Sequence, residues 1–415
     1  MRILVLTQWY PPEPAEIIAG LVQEFARAGH SVQVLTGLPN YPSGRLYPNY
    51  RLHMLQREVL RGVPVVRVPL YPNHGRSPVK RALNYLSFAL SATLEGPLAC
   101  RRPDIIWVYH PPLTVAIPAM WMAGMHRAPF VYTVQDLWPE TLRATGMVSN
   151  RLIESVMAGL ARAVYARAAA VTVISPGFKA NLIGKGVPAR KVHVIPNWAD
   201  ESLYGPVPRD PSIGAAYGLA GRFNVIFAGN LGAAQGLDTV LQAAAMLQPH
   251  EDIQFVFIGD GVELPALRVQ AGRLALSNVR FLERQPAERM REFYAWADAL
   301  LVCLRDDPLF RITIPSKLLA YLACGRPIVC SVAGDAADIV RQAASGTVCT
   351  PGSAEGLAQA ILQLRALPAA EREAMGQAGH SAFLRSYTRG AVAKQYLALF
   401  DRVAGLHNGQ HSTTV

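Results

Sequence analysis

The sequence has few cysteines and no long apolar run. Its five cysteines form neither a C-x-x-C pair nor the spacing of a metal site, so we expect reduced thiols in a cytoplasmic protein. No apolar stretch reaches the roughly 20 uninterrupted residues of a membrane-spanning helix. The N-terminal stretch MRILVLTQWY is too short in its apolar part for a signal peptide and lacks a small-residue cleavage site, so it predicts a first β-strand.

Acidic residues are scarce in the first half of the chain. Residues 1–200 contain 21 Lys and Arg against 10 Asp and Glu, whereas residues 201–415 contain 19 of each, so the first half carries the whole net charge of +11. A basic half suits nucleic acid, an anionic membrane surface or a phosphorylated substrate. The sequence has no nucleic-acid-binding motif, and its aromatic residues are not interleaved with the basic ones, so we expect no nucleic-acid partner.

A chain of 415 residues is long enough for two domains. Short apolar runs alternate with helical patterns, for example at 18–28 and 152–169, and this alternation predicts parallel sheets covered by helices. The runs lie at residues 3–6, 32–36, 63–68, 105–109, 130–134, 171–174, 192–195, 225–227, 255–258, 279–281, 299–302, 328–330 and 347–349. The proline-rich stretch 196–211 predicts a linker. We therefore expect two doubly wound α/β domains with a ligand-binding cleft at their strand ends.

The stretch VIFAGNLGAAQGLDTVLQAA (225–244) combines a strand, a glycine-rich turn and the start of a helix. Gly229, Gly232 and Gly236 lie at the turn, where backbone N–H groups and the helix dipole suit a phosphate. The same glycines would also serve a plain tight turn. Their spacing is not G-x-G-x-x-G, and no acidic residue ends the next strand about 20 positions on, which argues against a nicotinamide dehydrogenase.

Several motifs in a fixed order resemble those of family-4 glycosyltransferases with the GT-B fold. In the second half they are AGNLGAAQGLDTVLQAA (228–244), FIGDGVELPALR (257–268), VRFLERQPAERMREFYAWADALLV (279–302) and IPSKLLAYLACGRPIV (314–329). In the first half they are WYPPEPAEI (9–17), FARAGHSVQVLTGLPNYPSG (25–44), YHPPL (109–113), VQDLWPE (134–140) and VIPNWAD (194–200). The resemblance spans roughly residues 1–400, and it is strongest to the branch that builds bacterial O-antigen, capsule and colanic-acid-type exopolysaccharides.

This resemblance implies an acceptor-binding domain at 1–200 and a donor-binding domain at 201–385. The long helical pattern at 383–405 then implies a helix at 386–408 that returns to the N-terminal domain, and the tail 409–415 is predicted to be disordered. The implied activity is retaining transfer of a sugar, N-acetylated or deoxy sugars among the candidates, from UDP to an undecaprenyl-diphosphate-type, lipid-linked saccharide. No metal and no cofactor are expected. A covalent intermediate and same-face attack both stay open.

A donor site without a metal must stabilise the leaving diphosphate with N–H groups and cations. Lys317 would supply the cation, and Ser316 either donates its hydroxyl or only caps the next helix beside a solvated lysine. Asn230 and Gln235 stand where many relatives have Arg and Lys, which gives Lys317 more weight. The donor-binding residues implied by the resemblance are Gly229, Asn230, Gly232, Gln235, Gly236, Asp260, Gly261, Arg284, Pro315, Ser316 and Lys317.

The sequence departs from the wider family at two glutamate positions. Ile312 and Ala320 occupy these positions, the first of which normally contacts the donor sugar. The loss of the glutamate at the first position argues against a simple glucose or mannose donor. The nearby Asp306 and Asp307 either substitute for the missing carboxylate or form a solvated pair in a loop.

Five polar residues of the first half are the candidates for chemistry and acceptor binding. His110 follows a predicted strand. The resemblance implies that it contacts the donor sugar and does not act as an essential base. Alternatively, His110 has no such role and only begins the proline-containing loop. Asp136 and Glu140 follow the next strand, and one of them would orient or deprotonate the acceptor hydroxyl. The alternative that Asp136 is only the N-cap residue of the next helix stays open. Glu13 and Asn40 complete the predicted acceptor wall.

Two apolar stretches, 76–102 and 113–125, are either core helices or a surface that docks on lipid. Basic residues beside apolar ones in the first stretch suit a monotopic enzyme on an anionic membrane, peripheral on the inner face of the cytoplasmic membrane. The residues predicted to contact the membrane are Arg76, Lys80, Arg81, Leu86 and Phe88.

Two other functions stay open. A nucleotide-sugar 2-epimerase would have the same fold, but the basic and apolar features of the first half count against it. The altered glutamate positions also leave room for a non-catalytic scaffold that binds a nucleotide or a membrane.

Overall fold

The computed structural model describes residues 1–75, 77–138, 140 and 150–412. The chain divides into two compact units, one formed by Met1–Pro196 with Val392–Val415 and the other by Asn197–Ala391. Each unit contains one largely parallel sheet, with helices between successive strands. The doubly wound α/β architecture predicted for both halves is therefore confirmed.

The first unit is built on a sheet of eight strands. They are β1 (Arg2–Leu6), β2 (Ser31–Gly37), β3 (Gln56–Leu60), β4 (Val63–Val68), β5 (Ile105–Tyr109), β6 (Phe130–Val134), β7 (Ala170–Val173) and β8 (Val192–Val194). Their order is β3-β4-β2-β1-β5-β6-β7-β8. The helices between them are α1 (Glu16–Arg27), α2 (Pro78–Ala99), α3 (Ala116–His126), α4 (Arg151–Arg167) and α5 (Pro176–Gly184). Strands such as β1 and β6 are mostly apolar because they are buried on both faces, apart from Arg2 at the exposed start of β1.

Strand β3 was not predicted from the sequence. It pairs antiparallel with β4, with Gln56 opposite Arg67 and Leu60 opposite Val63. The turn residues Arg61 and Gly62 have φ values of 50° and 82°, as in a two-residue hairpin whose twist matches its strands. Because β3 lies at the sheet edge, its residues are alternately exposed and half-buried, and it has no continuous apolar run.

The second unit is built on a parallel sheet of six strands. They are β9 (Phe223–Ala228), β10 (Ile253–Ile258), β11 (Val279–Leu282), β12 (Ala299–Cys303), β13 (Ile328–Ser331) and β14 (Gly346–Val348), in the order β11-β10-β9-β12-β13-β14. Its helices are α6 (Pro211–Ala216), α7 (Leu237–Met246), α8 (Leu264–Arg273), α9 (Met290–Ala295), α10 (Pro308–Arg311), α11 (Ser316–Cys324), α12 (Asp335–Gln342), α13 (Ala354–Ala366) and α14 (Ala369–Ser386). The chain order reverses between β9 and β12, and open α/β sheets bind ligands at the carboxyl ends of strands at such a point.

The helical pattern at 383–405 is two helices rather than one. Helix α14 ends at Ser386, and α15 (Arg389–Ser412) begins after a break at which the Thr388 hydroxyl accepts a hydrogen bond from the N–H of Ala391 at 3.2 Å. Such a hydroxyl satisfies an N–H that the first turn leaves unpaired, so a new helix starts there. Of the tail predicted to be disordered, residues 413–415 lie outside the described residues.

Helix α15 packs on the core of the first unit. Tyr396 lies 5.0 Å from Trp107 between ring centroids, and Phe400 lies 5.5 Å from Phe25. Tyr396 and Phe400 are both fully buried. The last helix thus completes the hydrophobic core that the first 196 residues begin.

Candidate functional site

The glycine-rich stretch forms the predicted strand, turn and helix. Strand β9 ends at Ala228, a short 3-10 turn covers Ala233–Gln235, and α7 follows. Gly229 and Gly236 have φ values of 126° and 62°, in the region that favours glycine. The loop therefore turns sharply at the carboxyl edge of the sheet.

Only part of the loop's backbone is available to a ligand. The N–H of Gly229 donates to the Ile258 carbonyl oxygen, and the N–H of Gln235 donates to the Gly232 carbonyl oxygen. Within the described residues, the N–H groups of Asn230 and Gly232 have no hydrogen-bond partner. Two neighbouring unpaired donors in a tight loop suit an anion.

A second glycine turn, after β10, supports the first. A Cβ atom on Gly259 would lie 2.0 Å from the Gly229 carbonyl oxygen, and one on Gly261 would lie 2.3 Å from that of Leu231. The Leu231 N–H donates to the Asp260 carbonyl at 2.9 Å, while the Asp260 carboxylate accepts from the Gly261 N–H at 2.7 Å. Asp260 and Gly261 thus fix the shape of the glycine loop.

Lys317, in the first turn of α11, extends into the glycine loop. Its Nζ donates to Gln235 Oε1 at 2.9 Å and lies 3.5 Å from the centroid of the Phe227 ring. A Cβ atom on Gly229 would lie 3.6 Å from the same Nζ. Burial lowers the pKa of Lys317 to about 8, and no carboxylate in the described part of the chain forms an ion pair with it. The loop therefore holds an uncompensated cation.

Ser316 does not cap α11, contrary to one of its two interpretations. Pro315 is the N-cap residue, and no side chain makes a capping hydrogen bond there. Pro315 holds the extended conformation that a cap requires, which places Ser316 one position later as the first helical residue. Ser316 is exposed, so its hydroxyl is accessible to a ligand.

A cavity of about 400 Å³ opens beside the two glycine turns. It brings together four residues that the sequence assigned to the donor: Gly229, Asn230, Asp260 and Arg284. Tyr204 and Tyr294 also line it, and their rings lie 6.4 Å apart. Sequence reasoning missed both tyrosines, and the only available signal was an aromatic residue inside the proline-rich linker. The cavity can take a small planar ligand next to an anion site.

Asp306 and Asp307, the two candidates to replace the missing glutamate, both have partners within their own loop. Asp306 pairs with Arg311 at 3.0 Å, and Asp307 caps α10 by accepting from the Leu309 N–H at 2.7 Å. Both acids are therefore engaged within their own loop. Ala320, at the second glutamate position, is buried.

In the first unit, His110 is buried at the end of β5. Only 2% of the residue is exposed, and burial lowers the pKa of its imidazole to about 3. Its Nδ1 atom has no hydrogen-bond partner in the described residues. The imidazole is therefore neutral near pH 7, which does not favour a role as a proton carrier.

Glu13 and Asn40 have their polar atoms engaged within the fold. The Glu13 carboxylate accepts N–H bonds from Tyr10, Asn40 and Tyr41 at 3.1, 2.9 and 2.8 Å, and burial raises its pKa to about 7. The Asn40 side chain donates to the Leu38 carbonyl and accepts from Asn84. The structure thus gives these two predicted acceptor-wall residues a role in holding the loops after β1 and β2.

Asp136 and Glu140 differ in their surroundings. Burial raises the pKa of Asp136 above its usual range. Glu140 pairs with Lys185 at 2.5 Å. The helix that Asp136 was predicted to cap lies outside the described residues. Burial thus favours the neutral form of the Asp136 carboxyl more than solvent would.

A row of aromatic rings near His110 was not predicted. Trp9 stacks on Tyr41 at 4.8 Å between ring centroids, and it lies 6.5 Å from Tyr85. Tyr85 in turn lies 6.5 Å from Trp138, which lies 5.1 Å from His110. We call these five residues the aromatic row. Trp9, Tyr41, Tyr85 and Trp138 are only half-buried, and such faces suit sugar rings.

The predicted membrane residues do not form one surface. Lys80 and Leu86 on α2 are exposed, and Arg81 is half-buried on the same helix. Phe88 is fully buried, because it lies on the opposite side of α2 and packs in the core, so its assignment to the membrane was wrong. Arg76 lies outside the described residues.

Two family descriptions match the chain. "Glycosyl transferase 4-like domain" matches residues 14–198, and "Glycosyl transferases group 1" matches residues 222–366. The first match falls almost entirely within the first unit, and the second falls within the second unit.

Curated relatives carry the names of glycosyltransferases. The putative colanic acid biosynthesis glycosyl transferase WcaI of Escherichia coli K12 is 28% identical over 385 residues, which cover 89% of this chain and 93% of that protein. The probable glycosyltransferase WbjE of Pseudomonas aeruginosa is 27% identical over 269 residues, 64% of each chain.

Solved structures with this fold include proteins in complex with a nucleotide or a nucleotide sugar. Anabaena HepE in complex with UDP superposes with a TM-score of 0.73 at 18% identity, covering 97% of this chain and 100% of that one. An Escherichia coli trehalose-6-phosphate protein bound with UDP-2-fluoro glucose superposes with a TM-score of 0.72 at 14% identity, covering 96% of this chain and 99% of that one. These similarities show the GT-B fold. The two domain matches, together with the curated relatives, show that the chain belongs to the family-4 glycosyltransferases of the exopolysaccharide type.

Proposed function

We propose that the enzyme transfers a sugar from a UDP-sugar, with retention of configuration, to a lipid-linked saccharide of a bacterial surface polysaccharide. The observation that carries this proposal is the uncompensated Lys317 cation beside the glycine loop. In the reaction, the bond between the anomeric carbon and the diphosphate oxygen breaks, and a bond to an acceptor oxygen forms. The diphosphate leaves with the electron pair, so a cation and unpaired N–H groups stabilise its growing charge without a metal.

The donor cavity supports the choice of a nucleotide sugar. Its two tyrosines line a volume suited to a planar base, next to the loop that would hold the diphosphate. HepE has been solved with UDP and with UDP-glucose, which makes UDP the first nucleotide to test. Ile312, in place of a glutamate, favours an N-acetylated or deoxy sugar over simple glucose or mannose.

The aromatic row supports a saccharide acceptor. Half-buried rings of Trp9, Tyr41 and Tyr85 offer apolar faces to sugar C–H groups. Asp136 has a raised pKa because it is buried, and we propose that it takes the proton from the acceptor hydroxyl. His110, which stays neutral, contacts the donor sugar in this proposal. The lipid-linked acceptor places the enzyme at the inner face of the cytoplasmic membrane.

Calorimetry with UDP, GDP, ADP and NAD, without added metal, tests the donor half of the proposal. We expect UDP alone to bind, and incubation of UDP-sugars with a lipid-linked saccharide to release UDP. Binding of GDP instead would move the donor to guanosine sugars, whereas binding of NAD alone would contradict the proposal. A sugar product formed without acceptor would favour the epimerase, but the relatives named above are transferases.

A further inference from the structure

Helix α2 is apolar on two opposite faces. Its inner face buries Phe88, Ala92 and Gly96 in the core of the first unit. Its outer face exposes six aliphatic side chains to solvent. They recur at intervals of three or four residues, so they form one stripe along the helix. We call this the α2 stripe; its residues and their exposed fractions are Val79 69%, Leu83 49%, Leu86 52%, Leu90 61%, Leu94 65% and Leu98 89%. A continuous exposed apolar surface of this kind marks an interaction site.

Helix α3 adds to this apolar surface. The two helices approach closely at Gly96, where a Cβ atom would lie 3.1 Å from the Met122 sulfur. On α3, Trp121 and Met125 are each 54% exposed. Tryptophan is enriched where proteins meet the headgroup level of a bilayer, because its ring is apolar and its N–H is polar.

Basic residues lie at both ends of the α2 stripe. Lys80 is exposed in the first turn, and Arg101 and Arg102 are exposed just beyond the C-terminus. The helix has 22 residues, so these charges stand about 33 Å apart with the apolar stripe between them. Glu95 is the single acidic residue of α2. This arrangement fits an anionic surface that is apolar underneath.

We infer that α2 and α3 form a docking face for an anionic phospholipid bilayer, with α2 lying in the plane of the interface. No helix in the described part of the chain is long and apolar enough to cross a membrane, so docking rather than spanning accounts for the stripe. A second copy of this chain is a poorer occupant, because pairing two α2 stripes would bring like charges at their ends together. The inference rests on the proposed function only in its choice of the bilayer that holds a lipid-linked acceptor.

The docking face adjoins the aromatic row. Leu86 in the α2 stripe is preceded by Tyr85, which belongs to the aromatic row. Asn84, one residue earlier, is buried and accepts a hydrogen bond from Gln8 at 2.6 Å. The N-terminal half of α2 thus faces the membrane on one side and the saccharide on the other. A lipid-linked saccharide anchored in the bilayer would present its sugars to the aromatic row.

Cosedimentation of the full-length protein with vesicles tests the docking face. One set of vesicles contains phosphatidylcholine only, and the other contains about one third phosphatidylglycerol. The test variant combines Leu86→Ser, Leu90→Ser and Leu94→Ser. Its matched control combines Met246→Ser, Val262→Ser and Val269→Ser, which are exposed apolar residues of the second unit. Circular dichroism checks that both variants are folded.

We expect the wild type and the control to sediment with the anionic vesicles and the stripe variant to bind them at least about tenfold more weakly, as expected when three apolar contacts are lost. Lys80→Glu with Arg101→Glu should weaken binding to anionic vesicles only. Equal binding of the stripe variant and the wild type would overturn the inference. The inference would also be overturned if the wild type were a dimer that does not bind vesicles and the stripe variant were a monomer. The α2 stripe would then be a contact between copies of the chain.

A water-soluble, short-chain acceptor separates this inference from the proposed function. The stripe variant should transfer sugar to it at the wild-type rate, since the donor and acceptor residues are unchanged. If the wild type binds vesicles but neither it nor any variant transfers sugar, the proposed function is contradicted and the docking face is not. Transfer by all proteins without vesicle binding would contradict the docking face alone.

Discussion

The ammonium group of Lys317 lies 3.5 Å from the centroid of the Phe227 ring, on the face of an aromatic side chain that belongs to a buried strand. The two residues are 90 positions apart, and the fold joins them because β9 and α11 meet at the carboxyl edge of the second sheet. A ring face attracts a cation without neutralising it. Gln235, the hydrogen-bond partner of Lys317, is also uncharged. The positive charge is thus held in place and left available to an anion.

Replacing Lys317 by alanine should weaken binding of UDP. A lost charged contact costs about 1–3 kcal/mol, which corresponds to about 5- to 150-fold in the dissociation constant. Isothermal titration calorimetry at pH 7 measures it. Lys394→Ala, which removes an exposed lysine of α15, is the control and should bind UDP like the wild type. An unchanged dissociation constant in Lys317→Ala would remove this lysine from the donor site.

The affinity for UDP should fall as the pH rises from 7 to 9. Burial lowers the pKa of Lys317 to about 8, so about nine tenths of the free enzyme has lost this positive charge at pH 9. If only the protonated form binds, the dissociation constant rises about tenfold between pH 7 and 9. Lys317→Arg, which stays charged over this range, is the control and should show a nearly flat profile. Equal slopes in the two proteins would show that another group causes the change.

The same shift predicts the effect of pH on folding. Between pH 8 and 10.5 the unfolded chain holds a proton on Lys317 that the folded chain has lost, so the free energy of unfolding should rise with pH through this range. Urea denaturation of the wild type and of Lys317→Ala isolates the contribution. A difference between the two proteins that falls with rising pH would contradict the assigned burial of the ammonium group.

The strands and the glycine loop could be predicted from the sequence because both depend on local pattern. Buried parallel strands are continuous apolar runs, and residues 225–227 and 255–258 lie inside β9 and β10. The importance of Lys317 followed from its position in a motif. Its contact with Phe227 could not be predicted, because it depends on how two distant elements pack.

The burial of two residues could not be predicted from the sequence, and the physical reason is the same for both. Phe88 was placed on the membrane side because α2 is apolar all round, and only packing decides which apolar face is buried. Glu13 was predicted to belong to the acceptor wall because it lies in the loop after the first strand. Three backbone N–H groups instead hold it inside. The burial of a polar or two-faced residue depends on tertiary neighbours that the sequence pattern does not reveal.

Replacing Gly259 by alanine should disrupt the donor loop. The new Cβ atom would lie 2.0 Å from the Gly229 carbonyl oxygen, and φ at this position is 145°. The two glycine turns must then separate, so we expect UDP binding at least about tenfold weaker and a free energy of unfolding lower by about 1–3 kcal/mol. Calorimetry and urea denaturation measure the two effects.

Gly272→Ala is the matched control for that substitution. Gly272 lies in α8, and a Cβ atom there meets nothing within 4 Å. Alanine is the better helix former by about 1 kcal/mol, so this variant should be at least as stable as the wild type and bind UDP equally well. Similar losses of UDP binding in both variants would mean that the contact between the turns does not shape the site.

Replacing Glu13 by alanine should destabilise the first unit rather than affect the acceptor alone. Three N–H groups, two of them in buried hydrogen bonds, would lose their acceptor, which costs about 3 kcal/mol of the free energy of unfolding. Glu16→Ala, three residues on, removes only an exposed ion pair with Arg61 and should cost less than about 1 kcal/mol. Full stability of Glu13→Ala together with a raised KM for the acceptor would restore its predicted place in the acceptor wall.

His110 should make the protein less stable in mild acid. Burial lowers the pKa of His110 to about 3 in the folded protein, against an ordinary value of 6.5. Below pH 6.5 the unfolded chain therefore binds a proton at His110 that the folded chain does not bind. From pH 7 to pH 5 this contribution lowers the free energy of unfolding by about 2 kcal/mol. Other histidines titrate in the same range, so the measurement is the difference between the wild type and His110→Phe, each unfolded by urea at both pH values. The wild type should lose about 2 kcal/mol more than the variant, and equal losses would show that the imidazole is protonated as readily in the folded protein as in water.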